Sequence, residues 1–380
     1  MRVPGKHQKQ DGNQEAGKGR VRKSNTGTAA IRLSIFFSLL TLLFYYSCTI
    51  RPEKFWLAGF TGYLVPLFIL FQLIFLAYWL WKKPLVALIP GITLFLGMRF
   101  MQAGFGLHYL ITEKCSEFKV LSLNARTFGG MDKKSAVKKE DVRKTIDALI
   151  ASEADILCIQ EMHDYPGIKP FNIVKTLKKA GYPHFFYSVA GKHWGSSVGM
   201  AIFSKHPLLA KKVILKKEGS NNQIIMARIK LKDRRISVFN MHLQSVALKE
   251  NELTEQENRL NWLERSFSIG KKLKKGFQLR AGQIDELLSG AASEGDYIVI
   301  CGDMNDTPYS NAYLRLRDQY RNSFEDKGKG FGITFKGPVP FLRIDHQFYG
   351  KGLSVTRYET KREFPASDHH GTEACYTFSD

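Results

Sequence analysis

Cysteine is scarce in this chain, and acid is in deficit. The 380 residues hold five cysteines, Cys48, Cys115, Cys158, Cys301 and Cys375. No close Cys–Cys or Cys–His pair has the spacing of a zinc site. They outline no disulfide framework, which leaves the redox compartment open. Cys158 and Cys301 sit in apolar runs, ILCIQE and YIVICGD, where cysteine behaves as a small hydrophobe. A nucleophile-elbow serine, a cysteine nucleophile, a Gly-rich phosphate loop and internal repeats are all missing, and the chemistries that depend on them are set aside. Asp and Glu number 35 against 56 Lys and Arg, a net charge of +21. Such a balance favours acidic partners: nucleic acid, phospholipid headgroups or phosphorylated small molecules.

Hydrophobic residues make up 44% of the chain, but they are unevenly spread. Residues 1–32 are polar, Gly-rich and basic, with eight Lys/Arg and two Asp/Glu, so the tail carries 8 − 2 = +6. That composition predicts a disordered cytoplasmic tail. A hydrophobic region follows over residues 33–110, in three segments. Leu33–Ile50 and Leu57–Trp81 are each long enough to span a bilayer. Leu85–Met98 reaches the roughly 20 residues of a span only by running on past Arg99 to Leu107. Two or three transmembrane helices are therefore expected, with three favoured. The basic tail and Lys82-Lys83 belong on the cytoplasmic side. Three crossings place everything after Leu107 outside the cytoplasm, and two place it inside.

From Lys119 short apolar strands alternate with helices, the pattern of an α/β sandwich. Several strands end in polar residues that core packing does not need: Asn124 after KVLSL, Glu161 after DILCIQ, His242 after ISVFNM, and Asp303 and Asn305 in GDMN. Asp345 lies in RIDH, and Asp368 and His369 in SDHH. Singly, each is a turn, a cap or a structural histidine. Together they supply oxygen ligands for a hard divalent cation and imidazoles for proton transfer near neutral pH.

The motifs LSLNART, IQEMHD, GMAIFSKHPL, FNMHLQS, CGDMNDTP, RIDH and SDH stand in the order found in the endonuclease/exonuclease/phosphatase family. The resemblance runs over residues 117–380, and the arrangement with membrane segments looks like that of membrane-anchored bacterial members. It implies a four-layer α/β sandwich, two packed and mainly antiparallel sheets flanked by helices, here preceded by the N-terminal transmembrane region. The implied activity is magnesium-dependent hydrolysis of phosphodiester or phosphomonoester bonds, with manganese as a substitute. Glu161 matches the principal metal ligand, with Asn124 and Asp368 beside it. Asp303 matches the group that orients or activates the attacking water, and Asn305 the holder of the phosphoryl oxygens. His369 matches the catalytic histidine positioned by Asp345. His242 matches the histidine that bonds the phosphate or assists the leaving group.

Other residues divide between functional and structural readings. His346 and His370 adjoin the key residues and are expected to be structural. His193 and Trp194 sit in a loop or line the cleft. The stretch Lys271–Arg280 is a basic face or a solvated helix, with Arg280 and Gln283 as alternative anchors to the sheet. An inactive binding scaffold is the competing function, although it has no need of Glu161, Asp303 and His369 together. A transporter is disfavoured, because the membrane segments show no ion path. Phospholipid headgroups and nucleic acid both fit as substrate.

Overall fold

A computed structural model of the chain describes residues 26–109, 115–129, 137–193, 195–217, 219–246, 259–295, 297–337, 339 and 341–379. Residues 1–25 of the basic tail lie outside the described residues. Thr26–Arg32 already belong to the first helix. Four helices open the chain: α1 (Thr26–Ser47), α2 (Ala58–Lys82), α3 (Leu88–Leu96) and α4 (Met98–Gly104). α1 and α2 are antiparallel, with Phe37 against Phe71 and Phe44 against Phe68. Between them Gln72 accepts from Ser38 Oγ at 3.0 Å and donates to Thr41 Oγ1 at 2.8 Å. Burying these polar groups in pairs avoids the cost of leaving them unbonded in an apolar layer.

Among the described residues, only α1 and α2 are long and apolar enough to cross a membrane. The third segment does not run on as one helix. It breaks at Gly97 into pieces of nine and seven residues. The Tyr45 ring lies so close to Gly97 that a Cβ there would strike it. α3 leans on α1 and α2, and α4 ends against the following domain, where Arg343 donates to the Ala103 carbonyl.

The rest of the chain forms two mixed sheets flanked by helices. Its elements begin with β1 (Gly106–Leu107), β2 (Phe118–Asn124), α5 (Lys139–Ala151), β3 (Ile156–Asp164) and α6 (Ile173–Lys179). β4 (His184–His193), β5 (Ser196–Ser204), β6 (Leu208–Lys216), β7 (Gln223–Leu231) and β8 (Arg234–His242) follow. Next come α7 (Arg259–Ala292), β9 (Tyr297–Asp303), α8 (Asn311–Arg317), β10 (Arg321–Asn322), α9 (Ser323–Lys327) and β11 (Lys329–Gly330). β12 (Asp345–Tyr349), β13 (Leu353–Lys361) and β14 (Gly371–Phe378) complete it. One sheet has the order β10-β12-β9-β8-β7-β6, and the other β13-β14-β2-β3-β5-β4. Each contains one parallel pair, β8 with β9 and β2 with β3.

Alternating apolar residues of both sheets meet in a closed core that includes Val120, Ile202, Ile225 and Val299. Cys158 and Cys301 are buried in that layer as small hydrophobes. A polar bond crosses it: Gln160 donates to Asn240 Oδ1 at 2.6 Å. Such a buried pair fixes the register of one sheet on the other, since a slip would orphan both amides.

α5 buries Val142, Ile146 and Leu149, an i, i+4, i+7 stripe, and Asp141 accepts from the Lys138 amide at 3.1 Å to close its first turn. With α6 it covers the second sheet. The first sheet is covered by α7 and α8, and its core runs on without interruption into Tyr45, Cys48, Val65, Phe100 and Ala103 of the N-terminal region.

The cysteines require a correction. Cys115 and Cys375 form a disulfide across 260 residues of sequence. A separation of that size leaves no spacing signal. The pairing arises because β14 lies beside β2 and presents Cys375 to the segment that enters β2.

Candidate active site

Six chain segments converge at one end of the two sheets. β2 ends in Asn124, β8 in His242 and β9 in Asp303, while β12 runs the other way and begins with Asp345. Glu161 departs from expectation: it does not end β3, which runs on to Asp164. It sits on a bulge between Ile159 and Met162 with φ 47°. A glutamate held in the left-handed region costs of order 1–3 kcal/mol and persists only where its surroundings impose it. The bulge turns Glu161 out of the strand's alternation toward the other sheet. Asn305 is held the same way, with φ 51°. Gly302 precedes Asp303 because a Cβ there would lie 2.0 Å from the Met241 carbonyl.

Asp303 is the hub. Its carboxylate accepts from Asn124 Nδ2 at 2.9 Å, Asn305 N at 2.8 Å and Asn305 Nδ2 at 3.2 Å. His242 Nε2 stands 3.6 Å from Asp303 Oδ2 and 3.5 Å from Glu161 Oε1. His369 Nδ1 is 2.8 Å from Asp345 Oδ2, and its Nε2 lies 4.0 Å from Asp303 and 3.9 Å from Asp368. All the residues that the resemblance implied are thus brought together. Burial raises the Asp303 pKa above the ordinary carboxylate range, and Asp345 adds to the rise, with His369 and His242 opposing it. For His369 burial works against the charged form, but Asp345, its hydrogen bond and Asp303 prevail and lift the pKa to about 10. At neutral pH this imidazole is a cation and a donor.

Other residues that support the site escaped the sequence reading. Thr334 Oγ1 accepts from the amides of Ile344 and Asp345, at 3.0 and 3.1 Å. Ser367 Oγ donates to the Asn124 carbonyl at 2.6 Å and accepts from the His369 amide at 2.9 Å. Arg126 pairs with Asp368 at 3.3 Å, and the Phe335 ring lies 5.1 Å from His369. Ser367 and Arg126 were visible in SDHH and LSLNART, whereas Thr334 stands in no motif.

His346 is buried at the back of the Tyr313 ring and contacts the Asp306 carbonyl at 3.1 Å. Burial, with Arg343, lowers its pKa to about 3. The His370 amide donates to the Thr334 carbonyl, and its ring is neutral near pH 7, lowered to about 4 by burial and Lys336. Arg280 and Gln283 act as anchors: Arg280 bonds Asp306 and the Gln244 carbonyl, each at 2.8 Å, and Gln283 accepts from the Gln244 amide. His193 lies in β4 rather than in a loop, and Trp194 is outside the described residues.

Asp303, Asp345 and His369 are grouped tightly enough to hold a metal ion. A protonated His369 cannot donate a lone pair, so this trio is better satisfied as an internal ion pair. Glu161 is partly exposed, and His242 Nε2 lies between it and Asp303, 3.5 Å from the one and 3.6 Å from the other. Asp345 Oδ1 is buried with no hydrogen-bond partner. An oxygen-rich set with an unsatisfied carboxylate fits a hard divalent cation.

The sequence profile of the Endonuclease/Exonuclease/phosphatase family matches residues 121–369. The chain belongs to this family. Its members are phosphoester hydrolases that use divalent metal ions, which supports a hydrolase here. A second profile, that of a domain of unknown function, matches residues 28–104. Comparison with curated proteins returns no significant match. Solved structures that resemble the chain include an endonuclease/exonuclease/phosphatase from Beutenbergia cavernae, at 18% identity, TM-score 0.46, covering 69% of this chain and 71% of that one. The human Nocturnin catalytic domain gives 16%, TM-score 0.48, and 74% and 99%. A D. rerio TDP2 complexed with a single-strand DNA product gives 16%, TM-score 0.47, and 69% and 99%.

Proposed function

We propose that the protein is a membrane-anchored, magnesium-dependent hydrolase of phosphoester bonds, and that its catalytic domain lies outside the cytoplasm. The observation that carries the activity is the convergence of Asp303, the Asp345–His369 pair, His242 and Glu161 on one point. Glu161, with Asn124, Asp303 and Asp368 adjoining, would hold a divalent cation, which would supply the positive charge that offsets the anionic ester. Asp303, raised in pKa and fixed by Asn124 and Asn305, orients the attacking water and takes its proton. His369, kept cationic by Asp345, donates from Nε2 to the phosphoryl oxygens as charge builds on them. Asn305 shares that task. His242 assists departure of the leaving oxygen as the old P–O bond breaks and the new one forms. Manganese is expected to replace magnesium.

The test is turnover of bis(para-nitrophenyl) phosphate, DNA, RNA and phospholipid by the purified full chain, with and without chelator. Loss of turnover in chelator and recovery on adding magnesium support the reading. Full activity in excess chelator, or none on any ester with metal present, overturns it. Glu161→Gln should raise the metal concentration needed for half-maximal rate.

Two features support the extracytoplasmic side, in a bacterium the periplasmic face of the inner membrane. The sandwich abuts the end of α1, the start of α2 and the end of α4, while Lys82-Lys83 lies at the far end of α2, so the broken pair α3 and α4 together returns the chain to the side on which α1 ends. The Cys115–Cys375 disulfide belongs to an oxidising compartment. A C-terminal alkaline phosphatase fusion should be active, and an inactive one with a fluorescent cytoplasmic fusion would place the domain inside.

A further inference from the structure

The segment entering β12 does two things at once. Its middle builds the active site: Thr334 holds Asp345, Phe335 faces His369, and the Lys336 amide donates to the Asp368 carbonyl at 2.7 Å. Its flanks carry large apolar side chains into the open, with Phe331 63% and Phe341 77% exposed. Beside them Leu107 is 75% exposed, and the Phe105 ring lies 5.0 Å from Phe331. β1 and β11 pair directly, Gly106 with Gly330 and Leu107 with Lys329. Single exposed apolar residues are ordinary, but Phe105, Leu107 and Phe331, on and beside the paired β1 and β11, form a patch that needs a partner, and Phe341 is exposed further along the same segment as Phe331.

The patch is continuous with the N-terminal helices. α4 ends at Gly104, one residue before Phe105, and Arg343 donates to the Ala103 carbonyl. Met98 at the start of α4, and Leu96 and Phe95 at the end of α3, carry the exposed apolar surface back toward the other helices. The other wall of the site leans the same way: Asn305 is followed within a few residues by Tyr309 and Asn311, which meet Gly62 of α2 and the Thr49 carbonyl after α1. Two of the segments that form the catalytic centre therefore also meet the helical region. The outer face over the second sheet is the reverse. A cleft of about 620 Å³ there is lined by Lys139, Lys169, Lys175 and Lys179, which belong in water.

We infer that Leu107, Phe331 and Phe341 rest in the surface of the bilayer that holds α1 and α2, and that the catalytic centre draws its phosphoester from that surface. The inference rests on the hydrolase and membrane readings above and narrows the substrate to a lipid-borne phosphoester. Phenyl and leucyl side chains gain on leaving water, which holds such a rim against the interface once the helices have anchored the chain. A lipid headgroup then reaches Asp303 and His369 while its acyl chains stay in the membrane. A long nucleic-acid strand would have to pass between the rim and the bilayer.

Two measurements on the full chain in vesicles of phosphatidylethanolamine, phosphatidylglycerol and cardiolipin test this. In the first, Phe341→Cys carries an environment-sensitive dye, with Lys179→Cys on α6 as the control. Emission of the first should shift to the blue and be quenched by brominated acyl chains, and that of the control should not. Equal behaviour at both positions overturns the docking, whatever the enzyme hydrolyses. In the second, headgroup or phosphate release from the vesicles is compared with turnover of bis(para-nitrophenyl) phosphate. The Phe331→Ser/Phe341→Ser pair should lower the ratio of vesicle to soluble-ester turnover about tenfold or more. Metal-dependent turnover of the soluble ester without release from vesicles overturns the lipid substrate and leaves the hydrolase standing. Absence of turnover on both sinks the hydrolase itself.

Discussion

The two outer faces of the sandwich are covered in different ways. Over the second sheet, α5 and α6 are ordinary amphipathic helices, apolar beneath and charged above. Over the first sheet, α7 and α8 are themselves covered, and Phe100, Ala103 and Val65 of the N-terminal region are as buried as the strands. The N-terminal helices are thus more than a tether. One core extends from the sheet into them, locked at its edge by Arg51 and Arg315 on Asp285. A face that ends in charged side chains is complete in water, but one that ends in shared core exposes apolar surface when its neighbour is removed.

The largest expected effect lies where the two sheets meet. Asp303→Asn and His369→Ala should each lower the rate by about 10³-fold or more, because each acts on a group whose charge changes in the reaction. His370→Ala, one residue away, should do far less. Comparable losses at both histidines would mean that the register of this motif is shifted.

The next test addresses the shared core. Phe100→Ala should destabilise the catalytic domain by about 3–5 kcal/mol, as removal of a buried aromatic does. Thermal unfolding followed by activity on a soluble ester measures it. A variant that melts like the wild type would reduce the N-terminal region to an anchor. Third, Cys115→Ser should lower stability by about 2–4 kcal/mol, seen as a lower denaturant midpoint that reductant does not lower further.

The smallest effect separates buried from functional histidine. His346 has an ordinary pKa of 6.5 in the unfolded chain and about 3 when folded. The unfolded state therefore takes up the proton first, and stability falls as the pH drops below 6.5 toward 3. The share of that loss due to His346 is about 2 kcal/mol by pH 5. His346→Gln should flatten the acid limb by that amount and leave neutral stability nearly unchanged. An unaltered acid limb would show that His346 is not the titrating group.

Much of this was legible in the sequence, because strand ends announce themselves. Asn124, His242 and Asp303 close apolar runs, and a polar residue at such a place has little to do in a core. The two sheets and the family followed from the order of those runs. What stayed hidden depends on contacts distant in sequence. The outward turn of Glu161 needs a bulge that no local pattern encodes. Thr334 earns its role from backbone amides ten and eleven residues away. The break at Gly97 reflects the Tyr45 ring on another helix, so the apolar run reads as longer than the helix it makes.

The Cys115–Cys375 bond also changes what a protease would reveal. It closes nearly the whole catalytic domain into a ring, from the approach to β2 to the middle of β14. A single cut anywhere inside that ring separates nothing until a reductant is added. The nicked protein would migrate intact on a non-reducing gel and fall into two pieces on a reducing one. The fragment that begins at the N-terminal helices would keep both long apolar helices, and through one sulfur–sulfur bond it would keep the strand that follows His369 as well.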